Sequence, residues 1–246
     1  MEIGAEFLSA SILATIAIGL GAGLLRGFSG FGGSIFAVPL LSIVYDPAVA
    51  VVVMLGAGTI GTPQLIPGAL PLTQWRETLP LIVLTLVATP IGTYVLLTGD
   101  PDMIRRGIGI FVLLAALLMM WGWSWRGPRT HGISGFVGVV SGIVTGLAGM
   151  GGSIATLYLI SSSQPVAVIR ANLIIIIGAM NVIGFGYLIA GGALTASTLV
   201  NVAIFTPTYI FSIWIGTRIF RGTSDVMYRR LALWLLIAVG IAATIA

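Results

Sequence analysis

The sequence predicts an all-α fold, a polytopic transmembrane helical bundle of two repeats, and three observations carry that prediction. Of the 246 residues, 58% are hydrophobic and 7% charged, with a mean hydropathy of +1.13, whereas a soluble domain is about one quarter charged. The apolar residues fall into runs near the roughly 20 residues that a helix needs to cross a bilayer core. A glycine-rich pattern near the start of the chain returns in its middle. With short loops this length predicts eight to ten membrane segments and no separate soluble domain.

The elements follow in order. The opening MEIGAEFLSASILATIAIGL is acidic before its apolar run and lacks the positive n-region of a secretory signal, so it reads as a retained first span at about 7–25. GFSGFGGS at 27–34 interrupts it. Apolar stretches at 34–45, 47–67, 75–98 and 103–125 complete the first half. Trp121, Trp123 and Trp125 then precede Arg126 and Arg129, an aromatic belt ending a span at the polar interface, and RGPRTHG at 126–132 joins the halves. The second half runs through 132–147, GLAGMGGS at 146–153, 153–163, 165–190, 195–217 and 227–246. Residues 132–163 as one straight helix would reach about 46 Å, too long for a core of about 30 Å, so the glycines must break it.

The halves are copies. Gly23, Gly27, Gly30, Gly32, Gly33, Ser34 and Ile35 lie over Gly142, Gly146, Gly149, Gly151, Gly152, Ser153 and Ile154 at a constant shift of 119. Gly68-Ala69-Leu70 lies over Gly192-Ala193-Leu194, Gly92-Thr93 over Gly216-Thr217, and Met103, Arg105 and Arg106 over Met227, Arg229 and Arg230, at a shift of 124. The expected units are 1–127 and 128–246, one integral membrane domain together. Paired interrupted segments in two halves are a pointer to a transporter's substrate site. If each break makes a hairpin returning to its own side, an odd number of crossings per half inverts the second unit. Arg76, Arg126, Arg129, Arg170, Arg218, Arg221, Arg229 and Arg230 then share one face, with Arg105 and Arg106 opposite. A kinked crossing divides the same arginines less unevenly, so the positive-inside rule favours inverted repeats.

The net charge of +4 comes from eleven arginines and no lysine against seven acids. The arginines stand singly or in pairs at segment ends, which suits membrane orientation and not a nucleic-acid surface. With no cysteine, thiol chemistry and cysteine metal sites are excluded. His131 is the one histidine and lies in the connector; the acids Glu2, Glu6, Asp46, Glu77, Asp100, Asp102 and Asp225 fall at segment ends, and no HExxH or nucleophile elbow occurs. The expectation is not an enzyme, with no catalytic residue, cofactor or metal. The same absence disfavours a carboxylate-lined cation pathway and favours an anion.

Unpaired backbone at membrane depth is tolerated only in a protein interior or along a cavity, so both breaks are candidate cavity walls. Helices restarting near Ser34 and Ser153 would aim N–H groups and positive dipole ends inward, a setting for an anion. Close helix packing is the alternative use of such glycines. The candidate binding residues are Arg26, Ser29, Gly32, Gly33, Ser34, Thr145, Gly151, Gly152 and Ser153. Arg26 supplies the charge and has Thr145 as its counterpart, with snorkelling to an interface as the alternative. Gln64, Arg170, Asn172 and Asn181 are further polar positions suited to substrate contact or to helix packing.

GLGAGLLRGFSGFGGSIFAVPLL at 19–41, repeated as GVVSGIVTGLAGMGGSIATLYLI at 138–160, resembles the sulfite exporter TauE/SafE family of membrane transporters. One departure is Tyr158 in the second copy where the first has Pro39. The resemblance implies transport, often export, of small sulfur-containing or organic anions such as sulfite, sulfoacetate or other sulfonates. The expected mechanism is alternating access by a multi-pass protein of the plasma membrane; an anion channel and a non-transporting scaffold are the rivals. The partners expected are a small anionic substrate and the lipid bilayer, with a homodimer allowed and no nucleic acid.

Overall fold

The computed structural model describes residues 2–121, 127, 130–160, 162 and 164–221. Trp123, Trp125, Arg126, Arg129, Arg229, Arg230, Asp225 and the stretch 227–246 lie outside them, as do the side chains of Glu2, Glu6 and Arg221. Ten α-helices and no strand occur among the described residues: α1 (Glu2–Ser29), α2 (Gly33–Val44), α3 (Pro47–Gly61), α4 (Ile66–Ala69), α5 (Trp75–Thr98), α6 (Pro101–Met120), α7 (His131–Ala148), α8 (Gly152–Leu159), α9 (Val166–Ala190) and α10 (Ala196–Arg221). Six stretches among them are long and apolar enough to cross a membrane: Ala10–Ser29, Pro47–Gln64, Trp75–Thr98, His131–Ala148, Val166–Ala190 and Ala196–Phe220. The 20-residue α6 carries Asp102, Arg105 and Arg106 in its first two turns and is not one of the six. Leu13, Val87, Tyr94, Phe136, Val182 and Phe211 are exposed, while Thr85, Thr89, Ser141, Thr145, Asn172 and Arg26 are buried. An apolar exterior around a partly polar interior is the arrangement a lipid solvent favours.

Local chemistry sets the boundaries. Asp46 caps α3 by accepting from the Ala48 N–H (2.9 Å), with Pro47 in the first turn where its missing donor costs nothing. The apolar stretch 47–67 is not one helix. It leaves the α-form at Gly61 and continues as short turns to Leu72, because Pro63 and Pro67 each lack the N–H that an α-helix would use. The first break is also narrower than 27–34: α1 continues through Gly27 to Ser29, and only residues 30–32 leave the helix.

Contacts give the direction of each helix. α2 folds back along α1, with Gly33 against Ala22 and Arg26, Phe36 against Gly21, and Tyr45 Oη 2.8 Å from Thr15 Oγ1. α8 folds back along α7 in the same way, with Gly151 on Ser141 and Thr145, and Tyr158 Oη 2.9 Å from Ser134 Oγ. α3 crosses α9 antiparallel, pairing Leu55 with Gly184, Gly58 with Asn181 and Thr62 with Gly178. α5 runs parallel to α9, from Gln74 at Asn172 to Leu97 at Gly191. α1, α3 and α10 therefore run one way, and α5, α7 and α9 the other.

Two long seams hold the bundle, α1 along α10 and α5 along α7. In the first, Gly19, Gly23 and Gly27 face the carbonyls of Phe205, Tyr209 and Ile213, and Gly216 faces that of Leu24. In the second, Gly138, Gly142 and Gly146 face the carbonyls of Leu81, Thr85 and Thr89, and Gly92 faces that of Ile143. A Cβ at any of these glycines would push the backbones apart, so each seam depends on small residues every fourth position.

Candidate functional site

The first break is made by two glycines in the left-handed region, Gly30 (φ +81°) and Gly32 (φ +85°), which an L side chain adopts only with strain. The Gly30 N–H closes the last turn of α1 on the Arg26 carbonyl (2.9 Å), and Gly32 starts α2 without a side-chain cap. In the second break Gly149 (φ +65°) ends α7, but Gly151 is right-handed (φ −57°). Gly151 is needed for space, since a Cβ there would collide with the Ser141 carbonyl and the Thr145 hydroxyl. α8 also starts without a side-chain cap. The first-turn N–H groups of both helices are among those that helical geometry leaves unpaired, although α8 turns two back, from Ser153 N to Met150 O (3.0 Å) and from Ile154 N to Gly151 O (3.2 Å).

The two breaks meet around one small cavity of about 10 Å³, room for roughly one water. Gly32, Gly33, Ser34 and Ile35 line it from the first break, and Met150, Gly152 and Ser153 from the second. Met54, Ile177 and Asn181 contribute from α3 and α9, Arg26 from α1 and Tyr209 from α10.

Arg26 is only 2% exposed. The seam with α10 buries it on one side and α2 on the other: a Cβ on Gly33 would stand 3.2 Å from Arg26 Cβ and 3.4 Å from Tyr209 Oη. Its Nη1 donates to the Gly30 carbonyl (2.5 Å), a contact that suits a cation at a helix C-terminus. Its Nη2 is buried without a hydrogen-bond partner, as is Tyr209 Oη. Among the described residues no carboxylate pairs with Arg26. A buried guanidinium without a counter-charge is costly.

Of the expected binding residues, the structure brings Arg26, Gly32, Gly33, Ser34, Gly152, Ser153 and Asn181 to the cavity. Ser29 is turned away, its hydroxyl within reach of the Leu25 carbonyl (2.7 Å) and accepting from the Phe31 N–H (3.2 Å). Thr145 donates to the Ser141 carbonyl (2.7 Å) and, like Gly151, stands behind the wall. Ser153 lines the cavity while donating to the Met150 carbonyl (2.5 Å). Asn181 Nδ2 reaches Thr62 Oγ1 (3.4 Å).

Gln64 and Arg170 line a different cavity of about 200 Å³ at the end of the bundle. There Arg170 donates to the carbonyls of Gly27 (2.5 Å) and Phe28 (3.2 Å), and its guanidinium lies 4.1 Å from the Phe220 ring centroid. Asn172 accepts from the Gln74 N–H (2.8 Å), holding α9 to the start of α5. Sequence reasoning passed over Tyr209, Met54, Met150 and Ile177. Nothing local marks Tyr209, Met54 and Ile177, because each reaches the cavity through packing between distant segments, whereas Met150 sits inside the second break itself.

A family model described as Sulfite exporter TauE/SafE matches residues 15–243, nearly the whole chain. No curated protein and no solved structure matches it.

Proposed function

Since this chain belongs to the sulfite exporter TauE/SafE family, we propose that it is a secondary transporter of the plasma membrane that exports a small sulfur-containing anion, sulfite or a sulfonate such as sulfoacetate. One observation carries the site: a buried Arg26 with an unpartnered Nη2 and no carboxylate faces a cavity where both glycine breaks meet. The anion takes the place of the missing counter-charge in a state where the two breaks have parted, since the cavity as it stands holds about one water. Tyr209 Oη, Asn181 Nδ2, the Ser34 hydroxyl, the first-turn N–H groups of α2 and the Gly152 N–H supply neutral donors to its oxygens.

Alternating access needs two related halves around a shared site. The seams support units 1–127 and 128–246. The glycines that seat α7 on α5 follow those that seat α1 on α10 by 119, and the carbonyls they face differ by 124, the same two shifts that align the sequence. Counterpart helices α1 and α7, α3 and α9, α5 and α10 run in opposite directions, which supports inversion. Arg76, Arg170 and Arg218 gather at one end of the bundle, tied together through Gln74, Asn172 and Phe220. Arg105 binds the Ser42 carbonyl at the other end (2.8 Å). The arginine-rich end is then cytoplasmic.

The test is counterflow. In proteoliposomes, unlabelled sulfite on the trans side should accelerate uptake of labelled sulfite. Anion conductance without exchange would instead make this a channel. Neither flux nor ligand-dependent thermal stabilisation across sulfite, sulfoacetate, thiosulfate and sulfate would leave a scaffold.

A further inference from the structure

We propose that the central cavity selects monoanions, hydrogen sulfite or a singly charged sulfonate, and discriminates against dianions such as sulfate, fully deprotonated sulfite and sulfoacetate, whose carboxylate adds a second charge, which narrows the substrates named above. The inference rests on the anion-site reading above and adds a charge count to it.

Among the described residues Arg26 is the one charged group lining the cavity. Tyr209, Asn181 and Ser34 are neutral donors, Ser153 is neutral with its hydroxyl donating to the Met150 carbonyl, and Ile35, Met54, Met150 and Ile177 form apolar wall. The position related to Arg26 by the shift of 119 is Thr145, a neutral residue whose hydroxyl is engaged by the Ser141 carbonyl. At that position the second half therefore adds no second cation. Arg170 lies beyond the turn that follows α1, held against the carbonyls of Gly27 and Phe28, and lines the other cavity.

A monoanion beside Arg26 makes a neutral pair. A dianion leaves one negative charge in surroundings that cannot compensate it, and a buried uncompensated charge is expensive. Neutral donors replace part of the lost hydration of the oxygens but do not cancel the charge. The asymmetry between Arg26 and Thr145 thus acts as a selectivity device, because a symmetric pair of arginines would suit a dianion.

Calorimetric titration of the purified full chain in nanodiscs decides this, with methanesulfonate, sulfate and sulfite as probes. Methanesulfonate should bind at least about tenfold more tightly than sulfate. Sulfite affinity should fall as pH rises through neutrality and the ion loses its proton, while that of methanesulfonate stays level. Sulfate binding as tightly as methanesulfonate, or sulfite affinity that does not follow its protonation, overturns monoanion selection and leaves the anion site standing. Absence of binding by all three probes overturns the anion site itself, and this inference with it.

Discussion

Arg26 combines two properties that ordinarily exclude each other, burial and an uncompensated charge. Arg26→Ala should weaken sulfite binding by about 2–5 kcal/mol, since it removes the charged partner of a desolvated ion. It should also leave the melting temperature of the unliganded protein unchanged or raised, because the substitution deletes an unpaired charge. A packing role predicts the reverse, lower stability at unchanged affinity, so thermal melts and titrations on one variant separate the two. Tyr209→Phe removes one neutral donor and should cost about 1 kcal/mol of binding. Arg26 was legible in the sequence as a charge beside a glycine break with no acid nearby. Tyr209 was not: it is an aromatic in an apolar run, and only the seam between α1 and α10 carries it to Arg26.

At the scale of elements, one motif contains glycines with two uses. Gly23 and Gly27 lie inside α1 and let α10 approach, whereas Gly30 and Gly32 carry the turn. Read as a single pattern, they suggested a break spanning 27–34, and the packing and turn uses stood as alternatives. Both hold, for different residues, and the helix survives to Ser29 because its glycines are braced against α10. Helix ends were readable where the chemistry is local, as with the boundary at Asp46-Pro47 and the break around Gly149. The turns after Gly61 were hidden inside an apolar stretch. Gly23→Ala and Gly142→Ala should each destabilise the protein by about 1–3 kcal/mol, measured by thermal or denaturant melts, because the added methyl meets a backbone carbonyl. Gly107→Ala in α6 meets nothing within 4 Å and should be neutral or stabilising.

The molecule as a whole has a polarity that the site inherits. The sequence has no cysteine, so single substitutions report topology against a silent background. Gln74→Cys at the arginine-rich end should react with an impermeant thiol reagent only from the cytoplasmic side, and Asp100→Cys only from the other; labelling of both from one side would exclude the inverted arrangement. The seams also constrain the birth of the protein. α1 emerges from the ribosome well before the helix that covers its glycine face, α10, whereas α5 meets α7 soon after it is made. Until α10 arrives, the translocon or the lipid must shelter a helix carrying a bare arginine. The substrate cavity is thus among the last parts of the fold to close, and chains interrupted before α10 should be recognisable to membrane quality control by that exposed charge.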